Sequence, residues 1–203
     1  MKGKGWDYMM DKYQIAALSV LAVYYIAYLV KLLSQRKKGI QTSQLGKGKK
    51  DTKTMIIEKA LSVVSVATVI GEVVSVIFND SFHQNSVVKW SGILMAACGT
   101  CIFILAMLTM QDSWRAGIPS KDRTRLVTSG IYKISRNPAF LGFDFVYIGI
   151  GISFFNPVLT VISVLGIVMM HLQIIEEEAF LLKSFGEEYQ VYKQSVRRYL
   201  GRK

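Results

Sequence analysis

Two polar clusters carry the residue types that could do chemistry in this chain, and each stands at the edge of a long apolar run. The first cluster is the basic stretch RTRLVTSGIYKISRNPAF, residues 123–140, which offers side-chain donors on both sides of a turn at Gly130. Its Pro138 suits the first turn of a helix, where the missing N–H would have no partner. The second cluster is a run of three glutamates that begins at Glu176. We expect the two clusters to share one membrane face and one pocket.

The composition indicates a membrane protein. Of the 203 residues 51% are apolar, and they are gathered in long runs, which is unusual for a soluble domain of this length. The net charge of +11 is explained by basic loops that flank apolar spans. Nucleic-acid binding is not expected, because no recognition fold or aromatic platform accompanies the charge. The first apolar run is full-length and ends in basic residues, so we expect it to be retained as a span.

Five apolar runs predict an all-α polytopic membrane protein with about five transmembrane helices. Crossing the hydrocarbon core takes roughly 20 helical residues. The predicted spans cover residues 13–33, 55–78, 90–110, 138–155 and 158–175. The last two are short, which implies little tilt or a locally thin bilayer, and Asn156 with Pro157 forms a tight turn between them. Trp6 and Tyr8 suit an interfacial anchor ahead of the first span.

Two polar segments complete the predicted architecture. Residues 34–54 are basic, rich in Gly, Ser, Thr and Gln and without apolar periodicity, which predicts a mobile connector. Residues 176–203 predict a cytoplasmic amphipathic helical segment, broken at Gly186, that lies on the membrane or covers the loop before Pro138. Its apolar stripe consists of Leu181, Phe185, Tyr189, Tyr192, Val196 and Tyr199. We expect three N-terminal helices in residues 1–110 and a core holding the site in residues 111–203.

The distribution of basic residues predicts the orientation. With the N-terminus outside, the outer face holds only Lys2, Lys4, Lys12 and Lys89 of the 25 Lys and Arg residues. The positive-inside rule therefore favours an outer N-terminus and a cytoplasmic C-terminus. Without a retention or transit signal, a prokaryotic cell membrane is the simplest expectation. The chain could be a monomer or a homodimer.

Four isolated residues invite functional interpretations that we do not favour. Cys98 and Cys101 form a CxxC inside an apolar run, but no His or further Cys stands nearby to complete a zinc site. We expect them to pack between helices, and we predict no metal site. Glu72 lies in the second span, where an ionisable group suggests a functional site, but near the far end it is expected to reach toward headgroups. His83 is expected to be solvated.

The second half of the chain resembles a known enzyme family. LVTSGIYKISRNPAF, followed after a hairpin by EEEAFLLKSFGEEYQVYKQSV, is similar to the isoprenylcysteine carboxyl methyltransferases and to the wider group that includes the phospholipid N-methyltransferases. The resemblance covers roughly residues 113–198, while the first two spans show only hydrophobicity. It implies an S-adenosylmethionine pocket at the cytoplasmic ends of the last two spans. C-terminal helices would cover this pocket, and a lipid-facing gap would admit an oily acceptor.

The resemblance also implies individual roles. The family motif Arg-His-Pro-x-Tyr reads Arg-Asn-Pro-Ala-Phe here, which keeps a hydrogen-bonding side chain and a stacking ring. Arg136 could serve the cofactor carboxylate, and acidic residues could serve its ammonium and hydroxyl groups; alternatively, the glutamates only begin a solvated helix. The first of the family's paired glutamates contacts the cofactor. The implied cofactor-binding residues are Leu126, Val127, Tyr132, Asn137, Pro138, Ala139, Phe140, Glu177 and Glu178.

Two residues of the last span bear on the methyl acceptor. Gln173 stands where the carboxyl methyltransferases have an arginine that pairs with the substrate carboxylate. A neutral amide cannot make that charge-assisted contact, so an amine or hydroxyl acceptor is at least as well supported. His171 could likewise line the pocket or simply pack. We take both as candidate substrate-binding residues.

Asp144 is the second catalytic candidate, beside Arg136. Helical spacing places it on one face of the fourth span with Phe140 and Tyr147. It could balance the sulfonium or accept a proton from the acceptor, or it could be a buried hydrogen-bonding group. Gly149 and Gly151 form a GxG that suits a cofactor motif or close helix packing.

These observations predict an integral-membrane methyltransferase that depends on S-adenosylmethionine and acts on a lipophilic or lipid-linked carboxylate, amine or hydroxyl. Methyl transfer from a sulfonium needs little covalent help, so positioning and electrostatics suffice. Two alternatives remain open. A sterol reductase-like enzyme would need more groups for the phosphates of NADPH, and a transporter or scaffold would place polar groups at mid-membrane.

Overall fold

The computed structural model of the chain describes residues 10–78, 85–119 and 125–203 and is 77% helical. Its helices are α1 (Lys12–Lys37), α2 (Thr52–Phe78), α3 (Ser86–Met110), α4 (Pro138–Ser153) and α5 (Pro157–Ser195). Short 3₁₀ turns follow α3 and precede α4. The described ranges contain no β-strand, and the predicted all-α polytopic architecture is confirmed. Trp6, Tyr8, His83 and Arg123 lie outside the described residues.

Four of the five helices are long and apolar enough to cross a membrane, namely α1, α2, α3 and α5. Helix α4 has 16 residues, or about 24 Å at 1.5 Å per residue. That length is short of the roughly 30 Å hydrocarbon core. The predicted fourth span is therefore a short apolar helix packed along α3.

Glycines let α3 and α4 approach each other closely. A Cβ at Gly92 would lie 2.4 Å from the carbonyl oxygen of Gly149, and one at Gly142 would lie 2.8 Å from that of Gly99. In both helices the two glycines are seven residues apart, so they fall on one face. Gly149 therefore serves close helix packing, whereas a Cβ at Gly151 would enter open space.

Helix α5 lies along α2 and is longer than the sequence predicts. It begins at the Asn156 cap and continues past the apolar run, with a break at Gly186, where φ is 51°. The predicted break is confirmed, and the helix runs on from the predicted span of residues 158–175 into the amphipathic segment. The glutamates lie in the middle of α5, so the alternative that they begin a solvated helix is wrong. Side-chain contacts with α2 sustain the helix there.

The basic segment between α1 and α2 is packed, and its prediction as a mobile connector is wrong. Gln44 donates its backbone N–H to the Ala116 carbonyl at 2.8 Å, and the N–H of Ala116 donates to the Thr42 carbonyl at 2.9 Å. Thr42 and Gln44 are buried. The composition could not show this, because the partners come from the loop after α3.

Two further expectations about buried residues are wrong. Glu72 does not reach toward headgroups: it is fully buried and accepts a hydrogen bond from the Tyr25 hydroxyl of α1 at 2.5 Å. Cys98 and Cys101 do not pack between helices but are exposed free thiols on α3. The packing face of α3 is the one that carries Gly92 and Gly99, and the cysteines fall outside it.

Candidate functional site

The three glutamates of the second cluster each contact a different part of the molecule. Glu176 accepts a hydrogen bond from the Thr54 hydroxyl at 2.7 Å and an ion pair from the Lys53 ammonium at 2.6 Å, which joins α5 to the start of α2. Glu177 accepts from the Gln173 amide at 3.0 Å. Glu178 contacts the first cluster. Glu176, Glu177 and Glu178 therefore connect the parts of the chain at this end of the bundle. We call the end of the bundle around these three residues the site end.

Glu178 is the point at which the two clusters meet. Its Oε1 accepts from Arg136 Nη2 at 2.7 Å and from Asn137 Nδ2 at 3.3 Å, and its Oε2 accepts from Arg198 Nη2 at 2.9 Å. Glu178 is buried, and burial alone would raise the pKa of its carboxyl. The hydrogen bonds from Arg198 and Arg136 outweigh that effect and hold the pKa below its ordinary value.

Arg136 is committed to protein partners. Besides Glu178, its Nη1 donates to the carbonyl oxygens of Val196 at 2.5 Å and Lys193 at 3.3 Å, at the end of α5. Cations near the last carbonyls of a helix complement its dipole. The backbone N–H of Arg136 also donates to the Arg197 carbonyl at 3.1 Å. This arginine therefore holds the end of α5 and the C-terminal tail against the first cluster.

The apolar stripe of the C-terminal segment covers the first cluster. Tyr189, Tyr192 and Val196 are buried together, with Leu126 packed against them. The Tyr192 hydroxyl donates to the Tyr132 carbonyl at 2.7 Å. Of the two open predictions, contact with the loop before Pro138 is therefore confirmed. Tyr132 itself is buried, and Val127 packs on the core between α1 and α3.

A second polar network stands beside Glu177, and sequence reasoning missed it. Gln173 is fully buried, and its amide nitrogen lies 3.0 Å from Glu177 Oε1 and 3.4 Å from Glu58 Oε1. Glu58 pairs with Lys50, and both side chains are almost completely buried. The sequence held one sign of this network: Glu58 is an acidic residue in the first turns of an apolar span, and a basic loop precedes that span.

Glu58 also fastens two loops. Its carboxylate accepts the backbone N–H of Gly46 at 2.8 Å and that of Ile118 at 2.9 Å. Gly46 belongs to the segment after α1, and Ile118 to the chain that leads into the first cluster. These two N–H groups and the Lys50 ammonium together compensate the buried negative charge of Glu58.

The start of α4 follows the prediction. The helix begins at Pro138, which is buried together with Ala139, while Phe140 is half-buried and packs beside Leu61 and Tyr147. Asp144 is also half-buried, and its Oδ1 atom has no hydrogen-bond partner among the described residues. The sequence left open whether Asp144 forms a hydrogen bond with a neighbouring helix, and no described residue donates a hydrogen bond to Oδ1.

His171 lies under the C-terminal tail. Its Nδ1 atom makes a hydrogen bond with the Tyr199 hydroxyl, and the two rings stack with centroids 6.0 Å apart. Tyr199 and Arg198 both follow the end of α5, and the tail is held to the first cluster by a bond from the Gly201 N–H to the Ile134 carbonyl at 2.8 Å. Sequence reasoning missed Arg198, because nothing local distinguishes it from the other basic residues of the tail.

The site end contains buried polar atoms that lack a partner in the described part of the chain. They are Gln173 Oε1 and Asp144 Oδ1. Leaving such an atom unsatisfied costs about 1–3 kcal/mol, so their presence favours a polar ligand. Both atoms are acceptors, and they suit a ligand that carries donor groups such as an ammonium or a hydroxyl.

Comparison with known proteins gives a consistent family. Residues 87–188, half of the chain, match the sequence model of a family described as Phospholipid methyltransferase. The protein-S-isoprenylcysteine O-methyltransferases of Rattus norvegicus and Homo sapiens are each 32% identical over 123 residues, covering 59% of this chain and 43% of theirs. Protein-S-isoprenylcysteine O-methyltransferase B of Arabidopsis thaliana is 24% identical over 154 residues, covering 74% of this chain and 78% of its own. The alignments thus span less than half the length of these mammalian relatives.

Proposed function

We propose that this chain, which belongs to the phospholipid methyltransferase family, is an integral-membrane methyltransferase that uses S-adenosylmethionine and acts on a lipophilic or lipid-linked acceptor. Family membership confirms the resemblance read from the two clusters. The relatives support the coarser statement, a membrane methyltransferase. The methyl donor, the acceptor and the roles of individual residues are part of the proposal.

One observation carries the proposal: the two clusters meet through Arg136, Asn137 and Glu178. The contact brings the Arg-Asn-Pro turn against the glutamates of α5, beside unsatisfied polar atoms. The residues proposed to hold S-adenosylmethionine are those implied by the resemblance: Leu126, Val127, Tyr132, Asn137, Pro138, Ala139, Phe140, Glu177 and Glu178.

The hydrogen bonds indicate different roles for Glu177 and Glu178. Both oxygens of Glu178 already accept from arginine or asparagine side chains, so we assign it to holding the wall of the site. Glu177 accepts one side-chain bond, from Gln173, and is half-buried. Its remaining acceptor capacity suits an ammonium group or a ribose hydroxyl. Glu177 is therefore the proposed direct contact.

S-adenosylmethionine supplies an electrophilic methyl group on a positively charged sulfur. Transfer forms a bond from an acceptor lone pair to the methyl carbon while the carbon–sulfur bond breaks, and positioning is the main demand on the protein. An amine or hydroxyl acceptor also loses a proton, and Asp144, whose Oδ1 is unpartnered in the described ranges, is the proposed recipient. Arg136 acts as a positioning residue, because its side chain is bound to Glu178 and to α5 carbonyls.

The surroundings of Gln173 favour an amine or hydroxyl acceptor over a carboxylate. The amide lies between the carboxylates of Glu58 and Glu177 and is fully buried. Glu58 is already paired with Lys50, but a carboxylate acceptor would lie near the Glu177 carboxylate, and Gln173 bonds no arginine among the described residues. That is the opposite of a charge-assisted pair. His171 is the second proposed substrate-binding residue, on the side covered by Tyr199.

Mass spectrometry of lipid extracts tests the function directly. Protein reconstituted in bilayers is incubated with the extract and with S-adenosylmethionine that carries an isotope-labelled methyl group. We expect label on a lipid-soluble product, and labelling about 100-fold slower or more with the Asp144→Asn variant. Binding of NADPH instead of S-adenosylmethionine by folded protein would contradict the proposal and favour a reductase.

A further inference from the structure

A cavity of about 520 Å³ opens at the end of α1, and it is lined by none of the residues proposed to hold S-adenosylmethionine. The last turn of α1 forms one wall, residues 39–43 form the other, and Lys47 closes one side. The volume is within the roughly 300–1,000 Å³ range of ligand sites in proteins. The cavity is therefore large enough to receive a small headgroup.

Two cationic side chains converge on this cavity without a protein partner. Neither Arg36 nor Lys47 makes a side-chain hydrogen bond or ion pair within the described ranges. Two other cations of this segment are paired, because Lys38 bonds Asp112 and Lys50 bonds Glu58. Among the residues that the structure describes, the charge that faces the cavity is thus uncompensated, which favours an anionic ligand.

The second wall adds backbone donors and is held in place. Residues 41–43 donate no backbone N–H to an acceptor in the part of the chain that the structure describes. The same segment is fixed on its other side, because the Thr42 carbonyl and the Gln44 N–H both bond Ala116. In this extended segment the N–H of Ser43 points away from Ala116, and a backbone N–H beside cationic side chains can add a hydrogen bond to a phosphate group.

Apolar residues beside the cavity indicate that the anion carries hydrocarbon. Leu32 lines the cavity itself. On the same stretch of α1, Leu29, Val30 and Leu33 are 53%, 59% and 52% exposed, as suits a surface that faces acyl chains. A water-soluble anion would gain nothing from these side chains, whereas a lipid would place its headgroup in the cavity and its tails along α1.

We propose that the cavity between α1 and residues 39–47 binds the phosphate-bearing headgroup of an anionic phospholipid. Basic pockets at the ends of membrane helices recognise such headgroups. The site is separate from the methyl-donor site, so the proposal stands or falls independently of methyl transfer. Occupation would hold the packed segment after α1 against the bilayer surface.

Native mass spectrometry of the full chain, released from bilayers that contain phosphatidylglycerol and phosphatidylcholine, tests this site. We expect one retained phosphatidylglycerol per chain and no comparable retention of phosphatidylcholine. The double variant Arg36→Gln, Lys47→Gln should weaken phosphatidylglycerol binding roughly 25-fold, from about fivefold for each cation near the surface. Lys47→Glu changes the local charge by the same two units and should weaken binding to a similar extent.

The matched control is Lys49→Gln, which removes an exposed cation from the same segment outside the cavity. It should bind phosphatidylglycerol as the unaltered protein does. Equal loss in the control would show diffuse attraction and overturn the proposal, as would unchanged binding by the double variant with its melting temperature preserved. In a third arm, release of the lipid by millimolar inorganic phosphate would show a site for free phosphate and also overturn it.

Discussion

At the residue scale, one carboxylate holds the site end together. Glu178 is buried and accepts hydrogen bonds from the neighbours Arg136 and Asn137 and from the distant Arg198. Removing one member of a buried ion pair leaves the other charges uncompensated, which is more costly than losing an exposed pair. The stability of the tail therefore depends on this residue.

Glu178→Gln should lower the free energy of unfolding by about 3 kcal/mol, because Arg136 stays buried without a counter-ion. Chemical denaturation of the protein in mild detergent measures the change. Glu188→Gln is the control, since Glu188 is exposed on the same helix. Equal stability of the two variants would contradict the central place given to Glu178.

Lowering the pH should release the tail through the same residue. The pKa of Glu178 is below its ordinary value of 4.5 in the folded protein, so its stabilisation is complete above that value and is lost as the pH falls through the folded pKa. Hydrogen exchange at the amides of Arg136 and Gly201, which bond across the tail, should accelerate in that window. The amide of Ala116 serves as the internal reference, and parallel acceleration there would argue against a local effect.

Asp144→Asn should reduce turnover about 100-fold or more if the carboxylate takes the acceptor proton. The affinity for S-adenosylmethionine should stay unchanged, because the proposed cofactor residues are intact. Single-turnover kinetics and equilibrium binding on the same preparation separate the two effects. A drop in folded protein with normal turnover of the remainder would assign Asp144 a structural role instead.

At the element scale, the two helix pairs pack by different means. Helices α3 and α4 meet through glycines, whereas α2 and α5 are joined at the site end by polar contacts such as Thr54 with Glu176. Close packing of small residues is the usual way to join helices in lipid, where no hydrophobic gain is available. The short α4 therefore depends on α3 for its position, and with it the Arg-Asn-Pro turn.

Gly142→Ala should destabilise the protein by about 1–3 kcal/mol, because the new Cβ would lie 2.8 Å from the Gly99 carbonyl oxygen and 2.9 Å from the Phe103 Cβ. Gly151→Ala is the matched control on the same helix, since its Cβ would enter open space. Melting temperatures in detergent report both. The interpretation fails if the two substitutions have the same effect.

At the scale of the whole molecule, the parts predictable from sequence are those with local signals. The apolar runs predicted the helices, Pro138 predicted the start of α4, and Gly186 predicted the break in α5. The packed segment after α1 could not be predicted, because Thr42 and Gln44 find their partners more than 70 positions away. Glu58 was missed for the same reason, since its bond to Ile118 joins distant parts of the chain.

The orientation in the membrane is still a prediction at this scale. The contacts Lys38 with Asp112 and Thr54 with Glu176 bring the end of α1, the loop after α3, the start of α2 and the middle of α5 to one end of the bundle. The distribution of basic residues predicts that this end is cytoplasmic.

The most direct test of the account is an equilibrium titration of S-adenosylmethionine in bilayer discs, with one variant in each cluster. Tyr132→Leu removes a ring from the first cluster, and Glu177→Gln removes a charge from the second. If the clusters jointly hold the methyl donor, the unaltered protein binds S-adenosylmethionine, each variant binds about tenfold or more weakly, and both remain folded. Full-strength binding by both variants, or no binding by the unaltered protein, would contradict the account.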